Sequence, residues 1–246
     1  MRVTQRFGVA GTGPWVLSQG GDRVAAFRDL ESLLFVLYRR CYGRAGEHLA
    51  LAGWQTVHGG LVTIDGRRVL VVGDKGAGKT TLMMRLLADG HAVEGDENAL
   101  TRDGLAVALP RRFHVKPGTA ALVPELSDAL ADAPRTHLSD GTPIIGFDPT
   151  EAGLGAATRL APVEVAVVLR SDAAEPRGWR PLSTVEAVQA AVTHAVATTD
   201  SRPALLAACA ALLGQARGVE LARADPAQMA ERLRRAVNAP ETGSEL

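Results

Sequence analysis

The stretch VVGDKGAGKTTLMMRLLADGHAVEGDENAL, residues 71–100, decides the fold. It contains Gly73-x-x-x-x-Gly78-Lys79-Thr80, which satisfies the P-loop pattern. The pattern follows a predicted strand at 67–72 that ends in the apolar run 69–72, and the residues after the pattern have the composition of a helix ended by Gly90. The sequence therefore predicts a strand, a phosphate-binding loop and a helix in that order.

The chemistry of this loop follows from its backbone. Glycines at 73, 76 and 78 let successive N–H groups turn inward, and the helix adds the positive end of its dipole at the same place. We predict that Lys79 reaches the β- and γ-phosphates and that the Thr80 hydroxyl takes one site on Mg²⁺. The predicted nucleotide-binding residues are Gly73, Asp74, Lys75, Gly76, Ala77, Gly78, Lys79, Thr80 and Thr81.

An acidic pair, Asp96 and Glu97, follows Lys79 after one helix and the start of a strand. That path can return the chain to the phosphate site. One carboxylate can complete a magnesium site, and the other can accept the proton of an attacking hydroxyl. The alternative is an ordinary solvated turn at a strand end. The P-loop favours the active-site interpretation, and which of the two acids is the base stays open.

The composition excludes several classes of protein. The chain has 246 residues, with 27 basic and 27 acidic side chains, and so lacks the charge footprint of a nucleic-acid or membrane-surface protein. Cys41 and Cys209 have no ligand at metal-binding spacing and are predicted to be reduced, buried thiols. No apolar segment reaches membrane-spanning length. We expect a cytoplasmic protein that binds neither nucleic acid nor membrane.

The remaining patterns predict a single α/β domain over 1–246. Asp65-Gly66 is a strong hairpin signal between strands at 60–64 and 67–72. Further strands are predicted near 91–100, 104–110 and 162–171, and the stretch 117–160 is predicted to be irregular. Helices are predicted at 23–42, 183–198, 202–217 and 226–237, the last one capped by Asp225. The expected fold is a mixed central sheet flanked by helices.

Residues 57–97 resemble the catalytic core of HPr kinase/phosphorylase and of the wider group of HPr-kinase-like serine kinases, whose fold is related to that of phosphoenolpyruvate carboxykinase. Three marks carry the resemblance: His58-Gly59 before the hairpin that leads into the P-loop, Gly90-His91 after the P-loop helix, and Asp96-Glu97 where the family usually has Asp-Asp. The resemblance covers about forty residues.

The resemblance implies an ATP-dependent kinase. In that family the histidine, the P-loop lysine and the acidic pair form the active site, which here implies catalytic roles for His58, Lys79, Asp96 and Glu97. Thr80 and the two acids would then meet Mg²⁺. The implied acceptor is a serine of a peptide or carrier protein, with free serine or another small alcohol as the alternative. HPr kinase assembles into oligomers, so the resemblance leaves a homo-oligomer open.

The chain also departs from the family pattern. It has no copy of the glycine-rich signature segment that holds a further metal-binding glutamate, so reversal of phosphorylation is not expected. Its N-terminal region differs from the separate N-terminal domain of HPr kinase. In both respects it looks more like single-domain homologues, some of which modify peptides or small molecules in biosynthetic pathways.

A basic patch at 111–116 supplies candidate substrate residues, namely Arg111, Arg112 and Lys116. If this segment is a strand, Arg112, His114 and Lys116 share one face. These cations can steady the transferring phosphoryl group or hold an acidic acceptor. The alternative is that these charges lie on an exposed edge strand and prevent it from pairing with another chain.

Other polar residues are weaker candidates. Asp140, Asp148 and Glu151 lie in the long segment beside the phosphate site and are candidates for acceptor recognition, the alternative being an ordinary surface loop. His91, His137 and His194 share no ligand spacing and are predicted to be structural or surface residues.

Two further functions share the P-loop. The first is a nucleotide-hydrolysing switch or transport ATPase, in which the strand at 162–171 would end at a functional Asp172. The second is a nucleotide-binding module without catalysis. The histidine before the loop and the acids after it favour the kinase.

Overall fold

The computed structural model describes residues 5–8, 15–19, 22–27, 30–138, 141–170, 178–195 and 202–240. The chain forms two compact units, Met1–Gly53 and Trp54–Leu246, where the sequence predicts one domain over 1–246. The assignment of the whole chain to a single kinase domain stays a prediction. Among the described helices, none is both long and apolar enough to cross a membrane.

The first unit combines a small antiparallel sheet with one long helix. Strands β1 (Gln5–Gly8), β2 (Trp15–Gln19) and β3 (Asp22–Phe27) pair in that order, and helix α1 (Leu30–Leu51) contacts β2 and β3. The predicted helix at 23–42 was wrong at both ends. Its first residues form β3, because Gln19 pairs with Asp22 and the sequence between them is Gly-Gly, a hairpin signal.

Helix α1 carries both buried and exposed apolar side chains. Leu33 is buried, whereas Leu30, Leu34 and Tyr38 are exposed within the unit. Cys41, also on α1, is exposed, so its predicted burial was wrong, while Cys209 in the second unit is buried as predicted.

The second unit contains eleven strands and six helices among its described residues. The strands are β4 (Gln55–Ile64), β5 (Arg67–Gly73), β6 (Ala92–Gly95), β7 (Asn98–Arg102), β8 (Leu105–Ala108), β9 (Phe113–Val115), β10 (Arg135–His137), β11 (Pro143–Phe147), β12 (Val165–Arg170), β13 (Trp179–Leu182) and β14 (Arg217–Ala222). The helices are α2 (Lys79–Ala88), α3 (Pro117–Leu122), α4 (Ser127–Ala131), α5 (Thr184–Thr193), α6 (Arg202–Leu213) and α7 (Pro226–Asn238).

Eight of these strands form a central mixed sheet in the order β13-β14-β12-β5-β4-β7-β8, with β6 beside β4. β14, β12 and β5 run parallel, and the other pairs are antiparallel. β5 is buried on both faces: Val69 and Val71 join the core with α2 and α7, whereas Leu70 and Val72 join the core with α5 and α6. Such strands read as continuous apolar runs. The predicted mixed sheet flanked by helices is confirmed.

The predicted hairpin at Asp65-Gly66 is also confirmed, since Ile64 pairs with Arg67 and both turn residues have positive φ, 49° and 83°. Strand β4 begins earlier than predicted, at Gln55. His58 and Gly59 therefore lie within the sheet, where they pair with Asn98 and Val72.

Two other regions differ from the sequence predictions. The stretch 117–160 is not irregular throughout, because it contains α3, α4 and two strands of a second antiparallel sheet, ordered β10-β11-β9. The predicted helix at 202–217 ends at Leu213, just before Gly214, and 217–222 is strand β14. The predicted helix at 183–198 ends at Thr193, and residues 196–198 lie outside the described part.

The predicted cap of the last helix is confirmed. The Asp225 carboxylate accepts a hydrogen bond from the Gln228 backbone N–H at 3.0 Å, and Pro226 occupies the first helical position. We expect Asp225→Ala to lower the free energy of unfolding by about 1 kcal/mol, and Asp225→Ser to lower it far less. Urea denaturation of both variants measures the difference, and equal loss in both would contradict a capping role.

Candidate active site

The glycine-rich loop joins the end of β5 to the start of α2. Gly76 and Gly78 have φ of 88° and 103°, a region that favours glycine, and Gly78 directly precedes the first helical residue, Lys79. A Cβ on Gly73 would lie 2.6 Å from the Leu169 carbonyl oxygen of the neighbouring strand. The structure thus has the strand, loop and helix of the predicted motif, and phosphate binding by the loop stays a prediction.

Lys79 is held against this loop. Its Nζ donates hydrogen bonds to the backbone carbonyls of Gly73 at 2.6 Å and Asp74 at 3.0 Å, and the residue is only 7% exposed. Burial lowers the pKa of the Lys79 ammonium, and the nearby carboxylates of Asp74, Glu97 and Asp96 oppose that shift. The predicted lysine and both predicted acids therefore share one electrostatic environment.

Asp96 lies directly beside the first turn of α2. The Thr80 hydroxyl donates a hydrogen bond of 2.9 Å to Asp96 Oδ2, and the residue is 3% exposed. Asp96 Oδ1 is buried and has no hydrogen-bond partner among the residues that the structure describes. Burial raises the pKa of Asp96 to about 6, opposed in part by the Arg111 guanidinium. The site thus contains a buried carboxyl oxygen available to a ligand.

The neighbouring strands fix the position of Asp96. A Cβ on Gly60 of β4 would come within 2.9 Å of the Gly95 carbonyl oxygen and 3.3 Å of Asp96 Cα, so only glycine lets the two segments approach this closely. Just before them, Glu94 forms a buried ion pair with Arg68 of β5 at 2.7 Å. The Arg68 guanidinium also donates to the Ala106 carbonyl at 2.9 Å. These contacts anchor β6 immediately before the acid pair.

Glu97 has a different environment from Asp96. Its carboxylate forms an ion pair with Arg111 Nη1, and its side chain is 34% exposed whereas that of Arg111 is 7% exposed. Arg111 Nε donates to the Arg112 carbonyl at 3.1 Å. Arg111 Nη2 is buried and finds no hydrogen-bond acceptor within the described part of the chain.

Two half-buried histidines lie beside the acid pair. Burial lowers the pKa of His58, and the positive charge of Lys79 lowers it further. Burial likewise lowers the pKa of His114 to about 4, with a further contribution from Arg111. Both imidazoles are therefore neutral at pH 7 and can accept a hydrogen bond. The structure brings His58, Lys79, Asp96 and Glu97 together, and their catalytic roles stay predictions.

The remaining predicted substrate residues lie elsewhere. Arg112 is exposed and pairs with Glu151 at 3.0 Å, and Lys116 is exposed at the residue before α3. The Asp148 side chain accepts hydrogen bonds within its own turn from the backbone N–H and the hydroxyl of Thr150. Asp140 and Asp172 lie outside the described residues. Of the basic patch, Arg111 contacts the acid pair directly, and His114 lies in the field of Glu97.

The structure adds two residues that sequence reasoning missed. His194, predicted to be structural or on the surface, follows α5 and places Nδ1 3.7 Å from Asp74 Oδ1 in the glycine-rich loop. Thr119 of α3 shares a hydrogen bond of 3.0 Å with the Thr81 hydroxyl. Both contacts join elements far apart in the chain, so no local pattern predicts them.

The donor set suits a magnesium ion that is shared with a nucleotide. Within the described residues, no group of three or more His, Cys, Asp or Glu side chains could hold a metal ion by itself. Mg²⁺ at nucleotide sites typically takes one or two protein oxygens and completes its shell with phosphates and water. The Thr80 hydroxyl and the unpartnered Asp96 Oδ1 fit that requirement.

Comparison with known proteins finds likeness in structure and none in sequence. No family model and no curated protein matches the sequence. Among solved structures, the chain is similar to the Hpr(Ser) kinase/phosphatase from Coxiella burnetii, with 12% sequence identity and a TM-score of 0.39. The match covers 74% of this chain and 96% of that chain. Because so low a score carries no argument about activity, we base the function on the geometry of the site.

Proposed function

We propose that this chain is an ATP-dependent phosphotransferase that moves the γ-phosphoryl group to a hydroxyl acceptor. The contact between Thr80 and Asp96 is the observation that carries the proposal. It places a buried carboxylate against the first turn of the helix that follows a glycine-rich loop, where a nucleotide-bound Mg²⁺ needs oxygen ligands. When bound, Mg²⁺ would neutralise charge on the phosphates.

The structure supports different roles for the two acids. Asp96 is buried and hydrogen-bonded to Thr80, which suits the metal. Glu97 is one-third exposed and lies in the field of Lys79 and His58, which suits contact with an incoming hydroxyl. We therefore assign metal binding to Asp96 and orientation of the acceptor to Glu97.

The reaction is an in-line displacement at the γ-phosphorus. The acceptor oxygen forms a new P–O bond, the bond to the bridging oxygen breaks, and its electron pair stays on the β-phosphate of ADP. The hydroxyl proton passes to the Glu97 carboxylate, and Lys79 offsets charge on the phosphate oxygens. In this class of reaction, placement and charge stabilisation supply most of the rate enhancement.

The acceptor is proposed from the sequence resemblance. A serine of a peptide or carrier protein is the first choice, and free serine or another small alcohol is the second. Incubation of the purified protein with γ-labelled ATP and candidate acceptors separates the functions that share a P-loop. Label on a hydroxyl compound supports the kinase, labelled inorganic phosphate alone supports an ATPase, and neither product supports a binding module.

The proposed metal site gives a separate prediction for nucleotide binding. Thr80→Val removes the hydroxyl that faces both Asp96 and the proposed Mg²⁺, so Mg²⁺ should no longer strengthen ADP binding. Thr80→Ser keeps the hydroxyl and should retain most of that effect. Calorimetric titration of ADP with and without Mg²⁺ measures it. A Mg²⁺ effect in Thr80→Val equal to that of the wild type would exclude this site.

A further inference from the structure

Arg111 is a buried cation with one uncommitted donor. Its side chain is 7% exposed, Nη1 pairs with Glu97 and Nε donates to the Arg112 carbonyl. Nη2 is buried without a hydrogen-bond partner among the described residues. Leaving a charged donor unpaired away from water is costly, and such atoms in native structures call for an explanation.

Two other buried arginines show what a structural guanidinium looks like in this chain. Arg68 is 1% exposed, and its Nε, Nη1 and Nη2 all donate to the Glu94 carboxylate or to backbone carbonyls. The Arg85 side chain is 12% exposed, and its three nitrogens donate to Asp89 and Glu125. Arg111 differs because its Nη2 has no hydrogen-bond acceptor within the described part of the protein.

The location of Arg111 indicates which group of a bound ligand would accept a hydrogen bond from its Nη2. Its charge acts on Asp96, His58 and His114, and it contacts Glu97 directly. Lys79, the proposed phosphate ligand, is also influenced by Asp96 and Glu97. The two cations therefore share the same acid pair. An anion at the phosphoryl position would lie within the field of both.

We propose that Arg111 is a catalytic residue whose Nη2 donates a hydrogen bond to an oxygen of the phosphoryl group while it is transferred. Nη1 remains on Glu97, so one guanidinium connects the acceptor-orienting acid with the group that the acceptor attacks. The planar fork of arginine suits two such parallel bonds, which lysine cannot make. This inference rests on the proposed phosphotransferase function, and it gives Arg111 of the basic patch a role in that reaction.

Aluminium fluoride in the presence of ADP and Mg²⁺ mimics the transferring phosphoryl group and tests the assignment without an acceptor. The wild type should bind ADP–Mg²⁺ with aluminium fluoride about 100-fold more tightly than ADP–Mg²⁺ alone. Arg111→Lys keeps a cation opposite Glu97 but has no second nitrogen in the place of Nη2, so it should lose most of this gain in affinity. It should still bind ADP–Mg²⁺ alone within about twofold of the wild type.

Arg85→Lys is the matched control, since Arg85 is similarly buried and ion-paired but all its nitrogens are engaged. It should keep the full gain. Thermal unfolding of each variant shows that the fold is retained.

The outcomes distinguish failure of the Arg111 inference from failure of the phosphotransferase proposal on which it rests. Retention of the full gain in Arg111→Lys would overturn the role of Arg111, as would a wild type that binds ADP–Mg²⁺ and shows no gain from aluminium fluoride. In both cases nucleotide binding by the loop would stand. A wild type that binds no ADP at all would overturn the phosphotransferase proposal together with this inference.

Discussion

Lys79→Ala is expected to lower the rate of phosphoryl transfer by at least about 10²–10³-fold while the protein stays folded. Lys79 is the cation at the start of α2, and its ammonium already contacts the loop carbonyls of Gly73 and Asp74. A γ-phosphate in this loop would offer stronger, charged acceptors at the same place. Without the lysine, charge on the phosphate oxygens during transfer would have no compensating cation from the loop.

The fold should survive because burial disfavours the charged form of Lys79 more than the nearby carboxylates favour it. Burial lowers the pKa of Lys79, which means that the folded protein disfavours its charged form. Removing the charge therefore costs the apo protein little, and Lys79→Met, which also fills the space, should cost less than Lys79→Ala.

The measurement combines transfer of label from γ-labelled ATP with thermal unfolding of the same preparations. Loss of transfer with an unchanged melting temperature fits the proposal. Transfer at the wild-type rate in both Lys79 variants would remove the loop from the reaction.

The strand–loop–helix core was predictable because its signals are local. Valines at 69, 71 and 72, glycines at 73 and 78, and the apolar helix after Lys79 all lie within one short segment. The hairpin at Asp65-Gly66 is equally local, since a two-residue turn with positive φ has few compatible sequences. Such features depend on neighbouring residues rather than on the rest of the chain.

The missed elements depend on contacts that are distant in sequence. β14 has the sequence RGVELA, which is short and only partly apolar, and it is a strand because it pairs in parallel with β12. The parallel pairing places β14 beside a strand about fifty residues earlier. Without its pairing partner, the sequence of β14 is easily read as a continuation of the preceding alanine-rich helix α6.

The candidate site also combines features that local sequence predicts with features that depend on contacts distant in sequence. Proximity of Asp96 to the loop was predictable from the motif spacing, but the different environments of Asp96 and Glu97 were not. They follow from side-chain direction: Asp96 turns toward Thr80, and Glu97 turns toward Arg111. Both residues lie in the bend between β6 and β7, and the sequence does not say which of the two side chains turns toward the loop. The choice of Arg111 over Arg112 has the same cause.

The second large effect is expected from Asp96→Asn, which should strongly reduce the rate of transfer and at the same time stabilise the apo protein above pH 6. Asparagine can still accept the Thr80 hydrogen bond but supplies no carboxylate to Mg²⁺, so transfer should fall by about 10²-fold or more while the nucleotide itself still binds the loop.

The gain in stability follows from the pKa of Asp96, which burial raises from 3.8 to about 6. For an acid whose pKa is higher in the folded state, the free energy of unfolding falls as pH rises from about 4 to about 6, because ionisation is easier in the unfolded chain. The full penalty, up to about 3 kcal/mol, then applies at every higher pH. Asp96→Asn removes it, so the variant should gain stability over the wild type at pH 7.5 and show only a small part of that gain at pH 4.

Urea denaturation of both proteins at pH 4, 5, 6 and 7.5, without nucleotide or metal, measures this dependence. Titrating groups that do not interact with Asp96 contribute equally to both proteins, so the pH dependence of the difference between them reports chiefly the ionisation of Asp96. A stability difference that is constant across this range would mean that Asp96 is not a buried ionised carboxylate at neutral pH. Its proposed role as a metal ligand would then lose its physical basis, since that role requires a charged oxygen held ready beside Thr80.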